Sequence, residues 1–210
     1  TRPGASIVPI LDEIERIEPV INSISAESKI PISVDTRKAE VASLAHKAGA
    51  SLVNDVSGFT FDPNLLAYCS KSNLPVCVMH MQGSPENMQN NPKYENILIE
   101  VYDFLENQIG KLVRAGISRD HIIADVGIGF GKNLGHNLAL IKNISLFHGL
   151  GVPLLLGVSR KSIISKLAKV EKPSDRLHGS ISLAISALGQ GVQLFRVHDV
   201  AETKQAFDLW

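Results

Sequence analysis

The chain has 210 residues, 44% of them hydrophobic and 20% charged, which is the length and composition of an ordinary globular protein with a sizeable core. Disordered and collagen-like chains are excluded. Its 21 Lys and Arg residues balance 21 Asp and Glu residues, so the chain lacks the positive field that attracts nucleic acids and anionic membranes, and neither is expected as a partner.

The two cysteines, Cys69 and Cys77, are surrounded by apolar residues and form no C-x-x-C pair. They are predicted to be reduced core residues rather than a disulfide or a metal site. No apolar run is long enough to span a bilayer, and the first residues do not resemble a signal peptide. These features favour a cytoplasmic protein.

The predicted elements begin with a helix over residues 2–28 and continue as strand-then-helix units. Near-continuous apolar strands are typical of a parallel sheet that is buried on both faces. No Gly-, Ser- or Pro-rich linker interrupts the pattern, so residues 1–210 are predicted to form a single domain. The strands are expected at residues 30–35, 51–55, 75–80, 121–125, 153–158 and 193–198, and helices at residues 38–47, 95–115, 134–147 and 177–189.

Two parallel α/β architectures fit about six such units: a doubly wound sheet and a (β/α)8 TIM barrel. The barrel needs roughly two more units. Because a helix comes first, we expect that the first two βα units are absent from the N-terminus of this chain.

The position of the polar residues favours the barrel. Nearly every predicted strand ends in a polar side chain, and in a parallel barrel all of these ends open onto one face. Turn chemistry explains single Asp, Asn and Ser residues at such ends, but not the whole set, which indicates a shared binding mouth. Its members are Asp35, Asn54, Asp55, His80, Asp125, Ser159, Lys161, Arg196 and His198.

The last strand carries two potential cations. Side chains alternate along a strand, so Arg196 and His198 are expected on one face, where they would form an anion clamp. The next residue, Asp199, is followed three residues later by Glu202, a spacing that predicts a capping box at the start of the last helix. Asp199 is therefore assigned to structure and left out of the site.

The segment Ser159-Arg160-Lys161 departs from the usual pattern of a helix start. Ser159 is predicted to be an N-cap, but two cations in the first turn would oppose the helix dipole. Such conflicts are typical of functional sites. For Lys161 we favour a role in binding an anionic or carbonyl-bearing ligand, whereas Arg160 is explained as a solvated surface charge.

A glycine-rich segment at residues 127–132 resembles a phosphate-binding loop, but its spacing matches no phosphate motif. We interpret it as a flexible loop that allows backbone to approach a ligand, with Phe130 as a possible aromatic wall. Met79 and His80 do not supply enough ligands for a zinc site and are expected to line or cap a strand end.

Seven stretches, taken together and in order, resemble the dihydropteroate synthase family over almost the whole chain. That resemblance implies a TIM-barrel enzyme that joins p-aminobenzoate to 6-hydroxymethyl-7,8-dihydropterin pyrophosphate in folate synthesis, acts as a homodimer and is inhibited by sulfonamides. The stretches are Thr-Arg-Pro-Gly-Ala (1–5), Ile-Ser-Val-Asp-Thr (32–36), Val-Asn-Asp-Val-Ser-Gly (53–58), Val-Met-His-Met-Gln-Gly (78–83), Asp-Val-Gly-Ile-Gly-Phe-Gly-Lys (125–132), Gly-Val-Ser-Arg-Lys-Ser (157–162) and Arg-Val-His-Asp (196–199).

The resemblance also implies a role for individual residues. Lys161, Arg196 and His198 would be the catalytic residues. The pterin would be held by Asp35, Asn54, Met79, Asp125, Phe130, Gly157 and Lys161. The pyrophosphate would be held by Thr1, Arg2, Arg196 and His198, and p-aminobenzoate by Arg2, Pro3, Phe130 and Ser159.

Stabilisation of the departing pyrophosphate and of a cationic pterin would then drive the reaction, with Mg²⁺ accompanying the pyrophosphate. No metal ligand is expected in this chain, because the family carries it on an asparagine-containing loop in one of the first two βα units. Val126 stands where the family usually has Pro, which should alter backbone stiffness more than chemistry.

Two alternatives remain open. One is a catalytically inactive pterin-binding paralogue, although the presence of Lys161, Arg196 and His198 speaks against it. The other is a pterin-dependent methyltransferase, which would not be expected to carry both the segment at residues 159–162 and that at residues 196–199.

Overall fold

The computed structural model describes residues 4–210, so the predicted site residues Thr1, Arg2 and Pro3 lie outside the described residues. Strands and helices alternate through this part of the chain. The strands are β1 Ser33–Asp35, β2 Leu52–Asp55, β3 Val76–Met79, β4 Ile122–Asp125, β5 Leu154–Leu156 and β6 Leu194–Phe195. The helices are α1 Ile10–Glu27, α2 Ala39–Ala48, α3 Pro63–Lys71, α4 Ile97–Arg114, α5 Leu134–Lys142, α6 Ser162–Ala168, α7 Leu177–Leu188 and α8 Val200–Asp208.

The six strands form one sheet in the order β1-β2-β3-β4-β5-β6, and every neighbouring pair is parallel. This confirms the α/β class and the six predicted units. Strand order that follows chain order is the arrangement of a βα barrel, whereas a doubly wound sheet reverses its order at a switch point. The prediction that two βα units are absent stays a prediction.

The two faces of the sheet differ because side chains alternate along each strand. One face packs against the helices and forms the apolar core. The other carries Asp35, Asn54, Cys77 and Asp125, since Asp35 pairs with Asn54 and Asn54 with Cys77 in the register of the sheet. The helix-facing positions are Val34, Val53, Val76, Val78, Ile122, Ala124, Leu154 and Leu156.

An ion pair shows how strongly the sheet curls. Six strands spaced about 4.8 Å apart would place the outer strands of a flat sheet about 24 Å from one another. Yet Arg196, which follows β6, donates from Nη1 to Oδ2 of Asp35 at the end of β1 over 3.1 Å. The sheet therefore curves until its first and last strands face each other across a concave mouth.

Helix α1 is anchored at the same end of the sheet. Glu13 accepts hydrogen bonds from the hydroxyl of Thr36 at 2.6 Å and from the ammonium of Lys38 at 2.5 Å, both just after β1. At the far end of α1, Ser25 donates to the carbonyl of Ala48 at 2.8 Å. The helix thus lies along α2 and covers the outside of the first unit.

Several of the observed elements are shorter than predicted. The first helix begins at Ile10, after Pro9, rather than near residue 2. The segment predicted as one helix over residues 134–147 ends at Lys142 and continues as a 3₁₀ helix over Ile144–Leu150. The last strand ends at Phe195, so the polar residues that follow it belong to a loop.

Candidate active site

Asp35, Asn54 and Arg196 meet at the carboxyl ends of the strands. Oδ2 of Asp35 accepts a hydrogen bond from Nδ2 of Asn54 at 3.2 Å as well as the one from Arg196. Both side chains of the ion pair remain 42% exposed, whereas Asn54 is buried. The carboxylate and the guanidinium are therefore ordered by one another but still present hydrogen-bonding edges to a ligand.

The surroundings of Asp35 act on its charge in opposite directions. Enclosure by the walls of the mouth raises the pKa of Asp35, and the positive charge of Arg196 and the hydrogen bond from Asn54 oppose that rise. Arg196 has room beside Asp35 because Gly157 has no side chain: a Cβ at that position would already touch the guanidinium, 3.4 Å from Nε and Nη2.

Asp125, at the end of β4, is buried and oriented by its own loop. Its Oδ1 accepts from the backbone N–H of Gly127 at 2.8 Å, and no donor among the described residues pairs with Oδ2. The second oxygen is left to a ligand. Met79 lies next to Asp125 on the neighbouring strand and is fully buried.

Lys161 reaches into the mouth from the loop after β5. Its ammonium donates to the carbonyl of Ile128 and lies 4.9 Å from the ring centre of Phe130. Burial lowers the pKa of Lys161 to about 8, an effect that the negative charges of Asp125 and Asp35 oppose. Lys161 is thus positioned to donate to an acceptor next to the Asp125 carboxylate.

The glycine-rich loop over residues 127–131 is held more firmly than its composition predicts. The backbone N–H of Gly129 donates to Asn137 at 2.7 Å, its carbonyl accepts from Gln89 at 2.7 Å, and the carbonyl of Gly131 accepts from Tyr94 at 2.7 Å. The hydrogen bonds fix the loop that carries Phe130, instead of leaving it flexible.

A cavity of about 680 Å³ opens beside Lys161 and Phe130. Ser159 and His198 line it together: Nδ1 of His198 lies 2.9 Å from the Ser159 hydroxyl, which also accepts from the backbone N–H of His198 at 3.2 Å. An aromatic wall, a hydroxyl and an ammonium are suitable contacts for a flat aromatic acid. This is the predicted set for p-aminobenzoate, apart from the residues outside the described chain.

Asp55 and His80, which were predicted to belong to the mouth, make structural contacts instead. Asp55 faces the helices, where it accepts from the backbone and hydroxyl of Ser57 and from the backbone of Phe59. It closes its own turn, and its assignment to the mouth was wrong. His80 is buried with Lys132, whose ammonium lies 2.8 Å from Nδ1 of His80.

Lys132 is the residue that sequence reasoning missed. Its ammonium also donates to the carbonyls of Phe130 at 2.9 Å and of His80 at 3.2 Å, and it ties the glycine-rich loop to the end of β3. Burial lowers the pKa of Lys132 to about 7, and burial together with the charge of Lys132 lowers that of His80 to about 3. Its only signal in the sequence was a place directly after the glycines.

Three local predictions are corrected in these loops. Ser159 is not an N-cap, because α6 starts at Ser162 and Arg160 and Lys161 precede it. Asp199 stands at the N-cap position of α8 but makes no side-chain cap. Arg160 is not a solvated charge, since its guanidinium binds the Asp199 carboxylate through two hydrogen bonds.

Two kinds of feature are absent from the described residues. Among residues 4–210 no group of three or more His, Cys, Asp or Glu side chains could hold a metal ion. No helix in the same part of the chain is long and apolar enough to cross a membrane.

Comparison with known proteins agrees with this geometry. The family of pterin binding enzymes matches residues 1–198. Dihydropteroate synthase of Escherichia coli K12 is 44% identical over 206 residues, which are 98% of this chain and 72% of that protein.

Solved structures show the same likeness. The Yersinia pestis dihydropteroate synthase in complex with a sulfonamide drug superposes with a TM-score of 0.96 at 41% identity, covering 99% of this chain and 75% of that one. The Xanthomonas albilineans enzyme in complex with 7,8-dihydropteroate superposes with a TM-score of 0.91 at 37% identity, covering 99% and 76%. The chain therefore belongs to the dihydropteroate synthase family of pterin-binding enzymes.

Proposed function

We propose that this protein is a dihydropteroate synthase, which condenses 6-hydroxymethyl-7,8-dihydropterin pyrophosphate with p-aminobenzoate to give 7,8-dihydropteroate and pyrophosphate. One observation carries the proposal. The acids Asp35 and Asp125 and the cations Lys161 and Arg196 come from four separate strand ends and share one mouth. The product bound to the Xanthomonas albilineans relative supports the same reaction.

The pterin would lie against Asp35, Asn54, Asp125 and Lys161. A pterin edge carries adjacent N–H donors and a carbonyl, so the two carboxylates would accept while Lys161 donates. The unpaired Oδ2 of Asp125 is suited to one of those N–H groups. Because these polar groups are enclosed, an analogue lacking the matching atoms would leave them without partners and bind poorly. Met79 would pack beneath the ring.

The pyrophosphate would lie against Arg196 and His198, together with Thr1 and Arg2 from the start of the chain. Arg196 retains a half-exposed guanidinium, and charge-assisted hydrogen bonds to phosphate oxygens are among the strong ones. These cations would stabilise the negative charge that develops as the pyrophosphate departs.

The bond changes need no covalent enzyme intermediate. The bond between the pterin methylene carbon and the pyrophosphate oxygen breaks, and its electron pair leaves with the pyrophosphate. The amine nitrogen of p-aminobenzoate, held by Ser159, Phe130, Arg2 and Pro3, forms the new carbon–nitrogen bond and then loses a proton to water. Since the neutral aromatic amine is a weak nucleophile, departure of the anion is the step that the enzyme gains most by assisting.

We propose Mg²⁺ as a counter-ion that arrives with the pyrophosphate. Residues 4–210 offer no cluster of ligands that would hold the ion on its own. Magnesium is commonly held by substrate phosphates with only one or two carboxylates, so the absence of a cluster in this range is compatible with that role. No step above depends on the ion.

A homodimer in the cytoplasm is the further proposal. The homodimer follows the resemblance to the dihydropteroate synthase family, which implies two copies of the chain. The buried free thiols of Cys69 and Cys77 suit a reducing compartment. Sedimentation equilibrium distinguishes a dimer of about twice 22.7 kDa from a monomer.

The test of function is product formation by the protein with its natural N-terminus. Dihydropteroate and pyrophosphate should appear in equal amounts, and Arg196→Ala should lower kcat/KM by about a hundredfold, the cost of losing a strong charge-assisted contact. Asp208→Asn, in an exposed ion pair on α8, is the matched control and should leave it unchanged.

The alternatives give different results. Pterin binding without product would indicate an inactive paralogue, and methyl transfer to a second substrate would indicate a methyltransferase. An Arg196→Ala variant as active as the wild type would refute the role given to the mouth.

A further inference from the structure

Two neighbouring loops at the mouth are joined by side chains at consecutive positions. The loop after β5 carries Ser159 and Arg160, and the loop after β6 carries His198 and Asp199. Ser159 is hydrogen-bonded to His198, and Arg160 to Asp199. Ser159, Arg160 and His198 line the cavity beside Lys161, whereas Asp199 does not, so the carboxylate that fixes Arg160 lies outside the cavity lining.

Arg160 binds Asp199 in a bidentate manner. Nε donates to Oδ2 at 3.1 Å and Nη2 donates to Oδ1. The side chains are 33% and 14% exposed, which makes this a more enclosed pair than Lys204 and Asp208 on α8, at 71% and 62%. A planar fork on a carboxylate fixes orientation as well as distance. The hydrogen bonds from Arg160 also hold the pKa of Asp199 below its usual value, so the pair stays charged at neutral pH.

The Asp199 carboxylate makes this pair instead of the local contact its position offers. An Asp at an N-cap normally accepts from the first turn of its helix, yet α8 has no side-chain cap. The carboxylate points across to the other loop, and α8 is left to begin without it. The contact of Asp199 with Arg160 in the other loop thus takes the place of a cap on the first turn of α8.

The backbone of Arg160 is held in a conformation that a non-glycine residue rarely adopts. Its φ is +56°. The Ser180 hydroxyl accepts from its N–H at 2.9 Å, and Nη1 of Arg176 donates to its carbonyl at 2.9 Å. Such backbone persists where the surroundings over-determine it, and it is concentrated at functional sites. Arg160 is thus fixed at its N–H, its carbonyl and its guanidinium, and it lies between Ser159 and Lys161.

We propose that Arg160 and Asp199 are positioning residues that set the loop of Ser159 and Lys161 against the loop of Arg196 and His198. The inference rests on the proposed function, in which those loops hold the acceptor and the departing pyrophosphate. Loss of the pair would let the loops separate and weaken the pyrophosphate site. The pterin contacts of Asp35, Asn54 and Asp125 come from other strands, and the ammonium of Lys161 is anchored separately on the carbonyl of Ile128, so pterin binding would be unaffected.

The test compares Arg160→Gln, Asp199→Asn and the double variant with Lys204→Gln and Asp208→Asn, which break the exposed pair on the same helix. Calorimetry measures the Kd of inorganic pyrophosphate with Mg²⁺ and, separately, the Kd of the pterin without pyrophosphate. Thermal unfolding and the steady-state constants complete the set.

We expect each single variant at the pair to raise the Kd of pyrophosphate and the KM of the pterin pyrophosphate about tenfold, and the double variant to match a single one, as coupled neighbours do. The Kd of the pterin should stay at its wild-type value, as should every constant of the two control variants. The Tm should fall by only about 2–4 °C, because loss of the ion pair costs about 1 kcal/mol. A purely structural role would lower the active fraction and kcat while leaving both Kd values and KM alone.

Three outcomes would overturn the inference. Unchanged pyrophosphate binding would show that the loops do not need the pair. An effect of Arg160→Gln without one of Asp199→Asn would show that Arg160 contacts the ligand directly. Equal weakening of pterin and pyrophosphate would show general damage to the mouth. Failure of the proposed function would be distinguishable from failure of this inference. A wild-type protein that forms no dihydropteroate can still bind pyrophosphate, and its Kd for pyrophosphate can still rise when Arg160 or Asp199 is replaced.

Discussion

The pH dependence of the reaction provides a direct test of Lys161. Burial lowers its pKa to about 8 in the free protein, so the group that would donate to the pterin loses its proton within an accessible pH range. If the charged form is the active one, kcat/KM has a basic limb set by this lysine. The perturbation is Lys161→Arg, because a guanidinium stays protonated throughout that range.

The size of the effect follows from that pKa. A lysine with a pKa of about 8 is about 90% protonated at pH 7 and about 10% protonated at pH 9. The wild-type kcat/KM should therefore fall about tenfold between pH 7 and pH 9. The Lys161→Arg variant should show no such fall, whatever its absolute activity, because only the shape of the profile depends on titration.

The assay is initial-rate formation of dihydropteroate under kcat/KM conditions at several pH values. Titration of the substrates cancels in the ratio of wild type to variant at each pH. Lys166→Arg is the matched control: this lysine lines the same cavity but is exposed, and its replacement should keep the basic limb. A Lys161→Arg profile with the same fall as the wild type would refute the assignment, as would a wild-type profile that is flat to pH 9.

Two predictions concern stability. The pKa of Lys132 is near 7 in the folded state and near 10.5 in the unfolded chain, so the unfolded chain binds more protons between these pH values and the free energy of unfolding rises with pH. From pH 7 to pH 8.5, urea unfolding should show a rise in that free energy that is about 1.6 kcal/mol larger for the wild type than for Lys132→Met. Parallel pH dependence in the two proteins would contradict this. Gly127→Ala should lower the free energy of unfolding by about 3 kcal/mol or more, because the φ of Gly127 is +72° and the new Cβ would lie 1.9 Å from the carbonyl oxygen of His80. Gly135→Ala in α5 is the control: its Cβ would have 3.5 Å of clearance, so the change should be neutral or stabilising by up to about 1 kcal/mol. Equal unfolding midpoints for the two alanine variants would refute the steric argument.

The parallel sheet could be predicted from the sequence because strand burial and helix periodicity are local signals. Six apolar runs separated by helical segments leave few parallel arrangements, and the polar residue after each run marks the carboxyl end. Asp35, Asn54, Asp125 and Arg196 could be placed at one mouth on that ground, and the structure joins Asp35, Asn54 and Arg196 through direct contacts.

Strand faces were harder to predict than strand positions. Because side chains alternate along a strand, the adjacent residues Asn54 and Asp55 must face opposite sides, but both are polar and the sequence does not indicate which of them faces the mouth. The structure sends Asn54 to the mouth and Asp55 towards the helices, where three hydrogen bonds satisfy it. A one-residue shift of the strand would exchange the faces on which Asn54 and Asp55 lie. The register of the strand therefore decides which of the two side chains can contact a ligand, and only the assembled sheet fixes that register.

Contacts between distant loops were outside the reach of sequence reasoning. His80 and Lys132 are 52 residues apart, and each has an ordinary local explanation as a strand end and a loop cation. Their partnership depends on the close approach of β3 and the glycine-rich loop, which Gly127 permits by having no side chain. Tertiary distance, not residue type, makes this lysine a buried group with a lowered pKa.

The capping predictions that were wrong lie together at the mouth, and this has a physical reason. Ser159 and Asp199 both have the side chains of good N-caps, a local contact that contributes about 1 kcal/mol. Each instead binds a residue 39 positions away, Ser159 to His198 and Asp199 to Arg160. A bidentate bond to a guanidinium is stronger than a bond to a backbone N–H, so the tertiary partner prevails once the fold brings it near. Asp199 stands at the N-cap of α8 without capping it, and Ser159 lies two residues before the N-cap of α6. Their bonds across the gap show that the two loops are organised around one another, and residues of both loops line the cavity where the acceptor and the departing anion would meet.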